Sequence, residues 1–376
     1  MRLFLFLLCL VFPLAAAAQS TPPPPTLAAN AWLLLDHNTG ETLVAHNADE
    51  RIEPASLTKL MTAYIAFSQI KAGMVELDQD VTVSERAWKM PGSRMFIEPR
   101  QPVTVEELLR GMIIQSGNDA CVAIAEHIAG SEDAFAHMMN EEARRLGMNN
   151  TNFTNSSGLP DDNLYTTAND LALLATALIR DFPEYYRLYS EREYTYNDIT
   201  QPNRNRLLWQ DTTVDGMKTG YTRAAGYCLV SSAERGPRRL ISIVLGAESE
   251  ASRAQESLRL LNYGFQFFDT VRLYEAQEAL SEFRVWKGVA NEVPVGFMDD
   301  FVMSLPRDQS ERIEVTLDSR QPVVAPIQRG QELGTLTLTV ADREIGRYPV
   351  VALVDVEEDG FFGRFWDALM MWIRDL

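Results

Sequence analysis

The stretch EPASLTKLMTAY, residues 53–64, places a serine three positions before a lysine in an otherwise apolar run. The apolar side chains recur at helical spacing, which predicts a helix from Ser56 to about Phe67. Positions i and i+3 of a helix lie on one face, so the Ser56 hydroxyl and the Lys59 amine can touch. Taken alone, Ser-x-x-Lys is often a chance pair on an amphipathic helix, and it indicates catalysis only if other parts of the chain supply partners.

A serine hydroxyl is a weak nucleophile that needs a nearby base and hydrogen-bond donors for the developing oxyanion. The backbone N–H groups of a first helical turn have no partner within the helix, so the N–H of Ser56 can be one donor. Lysine acts as a base only when its pKa falls, which burial and a neighbouring cation both achieve. The hypothesis of a Ser56 nucleophile and a Lys59 base therefore predicts a buried lysine with a second cation near it.

Two further motifs follow along the chain. QSGND places Ser116 and Asn118 between two apolar helical runs, where a loop is expected. GMKTGYT places Lys218, Thr219 and Gly220 on a predicted strand just before a turn. Ser-x-x-Lys, Ser-x-Asn and Lys-Thr-Gly, in this order, are the three motifs of penicillin-recognising serine enzymes. Each is a weak signal alone, whereas the ordered set favours catalysis over chance.

The chain opens with MRLFLFLLCLVFPLAAAAQS, which has the basic start, apolar centre and small-residue end of a secretory signal peptide. The apolar run is shorter than the roughly 20 residues that span a bilayer. Residues 1–18 are therefore predicted to be a signal peptide, and 19–27 a proline-rich linker. The formal net charge is −18, which makes the chain a poor candidate for binding nucleic acid.

The hydrophobic pattern predicts an α+β domain over residues 28–270. Strand-like runs lie at both ends of this range, and amphipathic helical runs fill the middle. This order predicts an antiparallel sheet built from both ends of the domain, with the helical block packed on it. From residue 271 to 356, short alternating runs between turn residues predict a small all-β domain, either a sandwich or a barrel.

Cysteine and histidine give no sign of a disulfide framework or a metal site. After the predicted signal peptide, only Cys121 and Cys228 remain, both in apolar surroundings, and we expect two buried free thiols. The four histidines lack the spacing of zinc ligands. The sequence therefore predicts an enzyme with no metal and no cofactor.

Five stretches carry a resemblance to a known family: NTGETLVAHN, PASLTKLMTAY, QSGNDACVAIAEHIAG, QPNRNRLLW and DGMKTGYT. They resemble the periplasmic D-alanyl-D-alanine carboxypeptidases, the low-molecular-mass penicillin-binding proteins of the penicillin-binding-protein-5 type. The resemblance covers nearly the whole chain after the signal peptide. It implies the transpeptidase fold shared with serine β-lactamases. It also implies a hydrolase that removes the terminal D-alanine from peptidoglycan stem pentapeptides through an acyl-enzyme, and that β-lactam antibiotics inhibit.

The resemblance implies a role for each motif residue. Ser56 would be acylated, Lys59 would accept its proton, and Ser116 would relay a proton toward the leaving D-alanine. Asn118 would hydrogen-bond the substrate amide. Lys218 would hold the substrate carboxylate and help to depress the pKa of Lys59.

The same resemblance extends to the strand edge and to a distant arginine. Thr219 and Gly220 would present the edge to an extended peptide, since glycine permits close approach. The N–H of Tyr221 would be the second oxyanion donor. Many relatives carry histidine there, so we expect the tyrosine to alter substrate fit more than chemistry. Arg253, in the helix after the last strand, would help to bind the terminal carboxylate.

Three other functions remain open. A β-lactamase shares all three motifs, but the interval SSGLPDDNLYTTAND offers no obvious glutamate for rapid hydrolysis of an acyl-enzyme. A D,D-endopeptidase would cut cross-links with the same groups. A catalytically silent wall-binding scaffold would be expected to have lost Ser56, Lys59 or Lys218, and all three are present. The carboxypeptidase interpretation is favoured.

The tail GFFGRFWDALMMWIRDL, residues 360–376, predicts an amphipathic helix. At about 1.5 Å per residue it reaches only about 25 Å, too short to span a bilayer with its four charges. We expect it to attach the protein to the outer face of the inner membrane rather than to pack on the β domain. The predicted apolar face holds Phe362, Phe365, Trp366, Leu369, Trp372, Ile373 and Leu376, opposite Arg364, Asp367 and Arg374.

Overall fold

The computed structural model describes residues 21–309, 312–340 and 342–374, so the predicted signal peptide at 1–18 lies outside the described residues. The chain divides into two compact units. The larger unit holds Pro24–Ala276 and Asp299–Ser304. The smaller unit holds residues 21–23, Gln277–Met298 and the described residues from Leu305 onward.

The larger unit combines a sheet with a block of helices. In chain order, its strands are β1 (Ala31–Asp36), β2 (Thr42–His46), β3 (Glu193–Tyr196), β4 (Ile199–Pro202), β5 (Val214–Thr222), β6 (Gly226–Arg235), β7 (Arg238–Ala247) and β8 (Phe268–Tyr274). Its helices are α1 (Lys59–Lys71), α2 (Glu85–Trp88), α3 (Val105–Ile114), α4 (Asn118–Ala129), α5 (Glu132–Arg145), α6 (Ala168–Asp181), α7 (Pro183–Tyr186), α8 (Leu207–Gln210) and α9 (Glu250–Phe267).

The main sheet is antiparallel, with strand order β2-β1-β7-β6-β5. The antiparallel pair β1-β2 therefore lies beside β7, the last strand of this sheet along the chain, as the sequence predicted. Alternate residues of β1 enter two separate cores: Leu33 packs with the helical block and Leu34 packs with α9. Because both faces of β1 are covered, its first five residues, AWLLL, form a continuous apolar run rather than an alternating one.

Helix α1 forms the centre of the helical block and packs against α3, α4, α5 and α6. Its residues from Lys59 to Phe67 are all buried, including the polar Lys59 and Thr62, so the protein encloses this part of the helix on every side. Strand β5 lies at the edge of the sheet and packs against the short turn that precedes α1. The serine-lysine pair and the Lys-Thr-Gly strand are brought together by this packing.

The smaller unit is all-β up to its terminal helix, as predicted. The elements are β9 (Ser281–Trp286), β10 (Glu292–Gly296), β11 (Phe301–Pro306), β12 (Ile313–Ser319), β13 (Val323–Val324), β14 (Glu332–Val340), β15 (Arg343–Ala352) and α10 (Phe361–Arg374). The sheet of this unit has strand order β12-β14-β15-β10-β9-β13, while β11, whose first four residues belong to the larger unit, pairs with β8.

Helix α10 leaves its large apolar side chains exposed, and its polar side contacts the smaller unit. The Asp367 carboxylate accepts the backbone N–H of Lys287, 2.5 Å away, and Arg364 pairs with Glu358. No helix within the described ranges is both long enough and apolar enough to cross a membrane. The predicted Leu376 lies outside the described part of the chain. The exposed apolar side chains include Phe361, Phe362, Phe365, Trp366, Leu369, Met370, Trp372 and Ile373.

Candidate active site

Ser56 lies in a 3₁₀ turn, Ala55–Thr58, and the α-helix begins only at Lys59. The predicted helix is present, but its first turn at Ser56 is 3₁₀, and the α-helix runs on to Lys71 rather than ending near Phe67. Ala55 adopts a positive φ of 48°, a conformation that L-residues seldom take. A Cβ at Gly158 would lie 1.7 Å from the Ala55 carbonyl oxygen, so only glycine lets the neighbouring loop pack on this turn. This tertiary packing accompanies the tight turn that the helical pattern could not reveal.

Lys59, the first residue of α1, is buried with 1% of its surface exposed. Its Nζ is surrounded by three oxygen atoms. It lies 3.0 Å from Ser56 Oγ, 2.8 Å from Asn118 Oδ1 and 2.5 Å from the carbonyl oxygen of Ser157. The nucleophile and base candidates are thus in hydrogen-bond contact, as the i, i+3 spacing predicted.

The orientation of the Asn118 amide is fixed by a second contact. Its Nδ2 donates to the carbonyl oxygen of Pro91 at 2.7 Å, which turns Oδ1 toward Lys59. A neutral amine has two N–H donors and one lone pair. Asn118 Oδ1 and the Ser157 carbonyl can only accept, so in neutral Lys59 they take both donors. The lone pair is then left for the hydroxyl proton of Ser56.

The electrostatic surroundings favour that neutral form. Burial lowers the pKa of Lys59 below its ordinary value, and the positive charge of Arg204 lowers it further. The negative charge of Asp119 opposes the shift. The expected burial of the lysine is present, and a cation acts on it from a residue to which the sequence assigned no role.

Ser116 precedes α4 and is buried, with a positive φ of 68°. A non-glycine residue in this conformation carries strain, which is common at functional sites. The N–H of Gly117 donates to the Gly111 carbonyl at 3.0 Å and holds the bend. Ser116 Oγ is buried without a hydrogen-bond partner among the described residues, although it lines the same cleft as Ser56. This hydroxyl is free to bond a ligand.

Strand β5 brings the Lys-Thr-Gly motif to the nucleophile. Lys218 is buried, and its Nζ donates to the carbonyl oxygen of Thr219 at 3.1 Å. Burial, and then the charges of Lys59 and Arg204, lower the pKa of Lys218 well below its ordinary value. A Cβ at Gly220 would lie 3.1 Å from the Pro54 carbonyl oxygen, so glycine allows the strand edge to approach the turn closely.

A cleft of about 190 Å³ opens at Ser56. Lys59, Asn118 and Lys218 are buried and do not line it, whereas the other predicted site residues do. The lining residues are Ser56, Ser93, Ser116, Arg204, Thr219, Gly220, Tyr221, Tyr227, Glu250 and Arg253.

One part of the cleft wall joins an arginine to two aromatic rings. Arg253 is buried, donates to the Gly220 carbonyl at 3.3 Å and lies over the Tyr227 ring at 5.5 Å. Tyr227 in turn packs against Tyr221, with ring centroids 4.3 Å apart. Glu250 lies 4.0 Å from the Arg253 guanidinium. Arg253 is therefore held in place beside the strand edge, where an anionic group can reach it.

Sequence reasoning missed several of these groups. The interval containing Ser157 was considered only for a missing glutamate, and a backbone carbonyl has no side-chain signature. Arg204 lies within QPNRNRLLW, a stretch that contributed to the resemblance, but no role was given to it. Tyr227 and Glu250 belong to no motif. The resemblance alone offered a signal, and only for Arg204.

The two described cysteines are buried free thiols, as expected. Burial raises the pKa of Cys121 to about 12 and that of Cys228 to about 11. Both thiols are therefore neutral near neutral pH and are poor nucleophiles. Within the described residues, no group of three or more histidine, cysteine or acidic side chains is placed to hold a metal ion.

The chain is similar to known proteins over nearly its whole length. Residues 17–249 match the D-alanyl-D-alanine carboxypeptidase family, and residues 268–358 match the penicillin-binding protein 5 C-terminal domain. D-alanyl-D-alanine carboxypeptidase DacC of Escherichia coli is 44% identical, over 96% of this chain and 92% of that protein. Penicillin-binding protein 5 from Haemophilus influenzae superposes with a TM-score of 0.87 at 40% identity, over 90% of this chain and all of that one. Penicillin-binding protein D2 from Listeria monocytogenes, in its ampicillin-bound form, superposes with a TM-score of 0.60 at 32% identity, over 65% of this chain and all of that one.

Proposed function

The chain belongs to the D-alanyl-D-alanine carboxypeptidase family, and on that premise we propose that Ser56, Lys59 and Ser116 carry out its reaction. The resemblance drawn from five stretches of sequence is confirmed, as are the fold class and the serine hydrolase function. The favoured function is removal of the terminal D-alanine from a D-Ala-D-Ala end. The roles of individual residues below are our proposals.

The contact between Lys59 Nζ and Ser56 Oγ carries the proposal. Neutral Lys59 accepts the hydroxyl proton as Oγ attacks the carbonyl carbon of the penultimate D-alanine. The C–N bond to the terminal D-alanine then breaks, and Ser116 relays a proton to the leaving amine. Water next attacks the ester, releasing the shortened peptide and returning a proton to Ser56. The backbone N–H groups of Ser56 and Tyr221 are the proposed donors to the oxyanion in both steps.

We propose that the substrate lies along the edge of β5, with its carboxylate near Thr219 and Arg253. Thr219, Gly220 and Arg253 all line the cleft. Arg253 is oriented by Gly220 and Tyr227, so little ordering is needed when it binds an anion. The side chain of Tyr221 is 53% exposed at this wall, so it alters the fit of the substrate while its N–H serves the oxyanion.

Lys218 is buried and does not line the cleft, so we propose that it acts on the substrate carboxylate and on Lys59 through its charge. In the free enzyme, burial lowers the pKa of both Lys218 and Lys59. A bound carboxylate favours the charged form of Lys218, and that charge disfavours protonation of Lys59. Substrate binding would therefore place the positive charge on Lys218 and leave Lys59 neutral, in the state that a base requires.

Asn118 has two proposed tasks. Its Oδ1 orients Lys59, and one of the two N–H groups on Nδ2 donates to the carbonyl oxygen of Pro91. An amide NH₂ has two donors, so the second one remains for a substrate carbonyl. Asn118 can therefore make the predicted contact with the substrate amide and also orient the base, Lys59.

Attachment to a membrane is proposed for α10. Eight of its large apolar side chains are 37–85% exposed, and fully burying one such side chain contributes roughly 1.5–3 kcal/mol. The helix is too short to span a bilayer, so an interfacial position on the outer face of the inner membrane fits it better. The relatives are enzymes of the bacterial cell wall, which supports a periplasmic location.

The proposed function is tested with a muropeptide that ends in D-Ala-D-Ala. Mass spectrometry should show loss of one D-alanine and accumulation of the shortened peptide. A cross-linked dimer should remain largely intact, which separates a carboxypeptidase from an endopeptidase. A fluorescent penicillin should label Ser56, and nitrocefin should turn over slowly, which separates this enzyme from a β-lactamase. Rapid release of a cross-linked peptide without release of D-alanine would contradict the proposal.

A further inference from the structure

The carboxylate of Asp119, directly after the Ser-Gly-Asn motif, is fully buried and receives several backbone N–H groups. Oδ1 accepts from Met95 at 3.0 Å and from Ala120 at 3.0 Å. Oδ2 accepts from Phe96 at 2.8 Å and from Ile97 at 3.3 Å. Three of these donors belong to the segment 91–97, which we term the 91–97 loop. A carboxylate with this many backbone donors fixes the path of the loop strongly.

The same loop is bonded to Asn118 from its other end. The N–H of Asn118 donates to the Ser93 carbonyl at 2.7 Å, and its Nδ2 donates to the Pro91 carbonyl at 2.7 Å. Ser93 lines the cleft at Ser56. Phe96 has a positive φ of 69°, a conformation that persists where surrounding contacts enforce it. The loop is thus held by Asn118 at residues 91–93 and by Asp119 at residues 95–97.

We propose that Asp119 is a positioning residue for acylation of Ser56: its carboxylate fixes the 91–97 loop, which fixes the amide of Asn118 and so the position of Lys59 Nζ. The proposal rests on the proposed role of Lys59 as base. Asp119 also acts through its charge. The charged and titratable groups facing Lys59 are Asp119 and Cys121 from α4, Arg204 and Lys218, and Asp119 opposes the loss of the proton.

The test is the variant Asp119→Asn in the full chain. An amide cannot accept at both ends, so the loop loses part of its support. We expect the rate of acylation by a fluorescent penicillin to fall about 10²-fold, the loss typical of a misplaced catalytic group. Removing the negative charge also lowers the pKa of Lys59 further. The acid limb of the rate against pH should therefore move to lower pH.

A matched control is Asp170→Asn. Asp170, in α6, is also buried, and its carboxylate accepts the N–H of Asn150 at 2.9 Å and the hydroxyl of Thr151 at 2.6 Å. The Asp170→Asn variant should leave the acid limb of the acylation rate against pH unchanged. Hydrogen exchange gives a second readout that needs no variant: in the wild-type protein, the amides of residues 95–97 should be protected as strongly as those of α4.

Fast exchange of these wild-type amides would overturn the proposal even if Asp119→Asn failed to fold. So would an Asp119→Asn variant that acylates at the wild-type rate, or one that loses rate with an unmoved acid limb. Failure of the proposed function is recognised separately, because it would appear as normal acylation in a variant of Lys59 itself.

Discussion

The Nζ of Lys59 donates a hydrogen bond of 2.5 Å to the carbonyl oxygen of Ser157, 98 residues further along the chain. The loop that supplies this carbonyl is shaped by Asn155, whose Oδ1 accepts the N–H groups of Ser157, Gly158 and Leu159 at 3.2, 2.7 and 3.2 Å. The orientation of the proposed base therefore depends on a loop that carries no catalytic motif.

Replacing Ser56 with alanine should abolish both penicillin labelling and release of D-alanine, because the attacking oxygen is removed. The fold should persist, since Ala55 and Leu57 supply the apolar packing of the turn. Labelling and mass spectrometry measure the loss, and circular dichroism checks the fold. Ser68→Ala, in the last turns of α1, is the control and should remain active. Covalent penicillin on the Ser56→Ala protein would disprove the assignment.

Lys59→Arg should lose about 10²–10⁴-fold in acylation rate, the contribution usual for a general base. Arginine keeps the charge but cannot be deprotonated in a protein. Stopped-flow acylation measures the loss, with Lys89→Arg at an exposed position as the control. A rate near that of the wild type would show that Lys59 is an electrostatic support rather than a base.

Arg253→Gln should weaken turnover of substrates with a free carboxylate by about 10–100-fold, the range expected when a hydrogen bond to a charged group is lost. Lys218→Gln should also weaken turnover of the substrates with a free carboxylate. Turnover of the matching amide-terminated peptide should change much less, because it has no charge to lose. The control is Arg206→Gln, which removes an arginine that pairs with Glu250. Equal losses on both substrates would mean that Arg253 is structural.

Lys218→Met should stabilise the protein near neutral pH while it damages activity. The folded-state pKa of Lys218 is well below its ordinary value of 10.5, so between these values the unfolded chain binds more protons. Stability contributed by this site therefore rises with pH across that window. Methionine removes the free-energy cost of burying the Lys218 amine. We therefore expect the free energy of unfolding to rise by about 0.5–2 kcal/mol at pH 7, and this gain should shrink toward pH 10. Thermal denaturation at both pH values measures it, and an equal gain at each would refute the assignment to this lysine.

Deleting residues 360–376 should release an active enzyme into the soluble periplasmic fraction, because the proposed attachment rests on the apolar side chains of α10. Salt should have little effect on the full chain, since apolar burial is not screened. Fractionation and D-alanine release measure both outcomes. Arg364→Gln keeps the apolar face and should stay with the membrane. Sedimentation of the truncated enzyme with membranes, or removal of the full chain by salt alone, would contradict this account.

Local patterns in the sequence were sufficient for much of the architecture. The apolar periodicity predicted the strands at both ends of the larger unit, the helical block and the all-β region. The spacing of Ser56 and Lys59 predicted their contact, because positions i and i+3 meet within one chain segment. A local contact also caps α6, where the Thr167 side chain accepts the N–H of Asp170. The Asp170 side chain bonds residues 150–151 rather than completing a capping box.

The sequence by itself determined which residue types the site contains and the order in which the chain supplies them. Only the tertiary structure decided how Lys59 is oriented, through the Ser157 carbonyl, and how the 91–97 loop is held by Asp119. It also decided that Tyr227 supports both Tyr221 and Arg253. These contacts join distant segments, and several use backbone atoms that every residue shares. Periodicity and spacing describe neighbours along one helix or strand, so they contain no information about where a loop from elsewhere in the chain will pack.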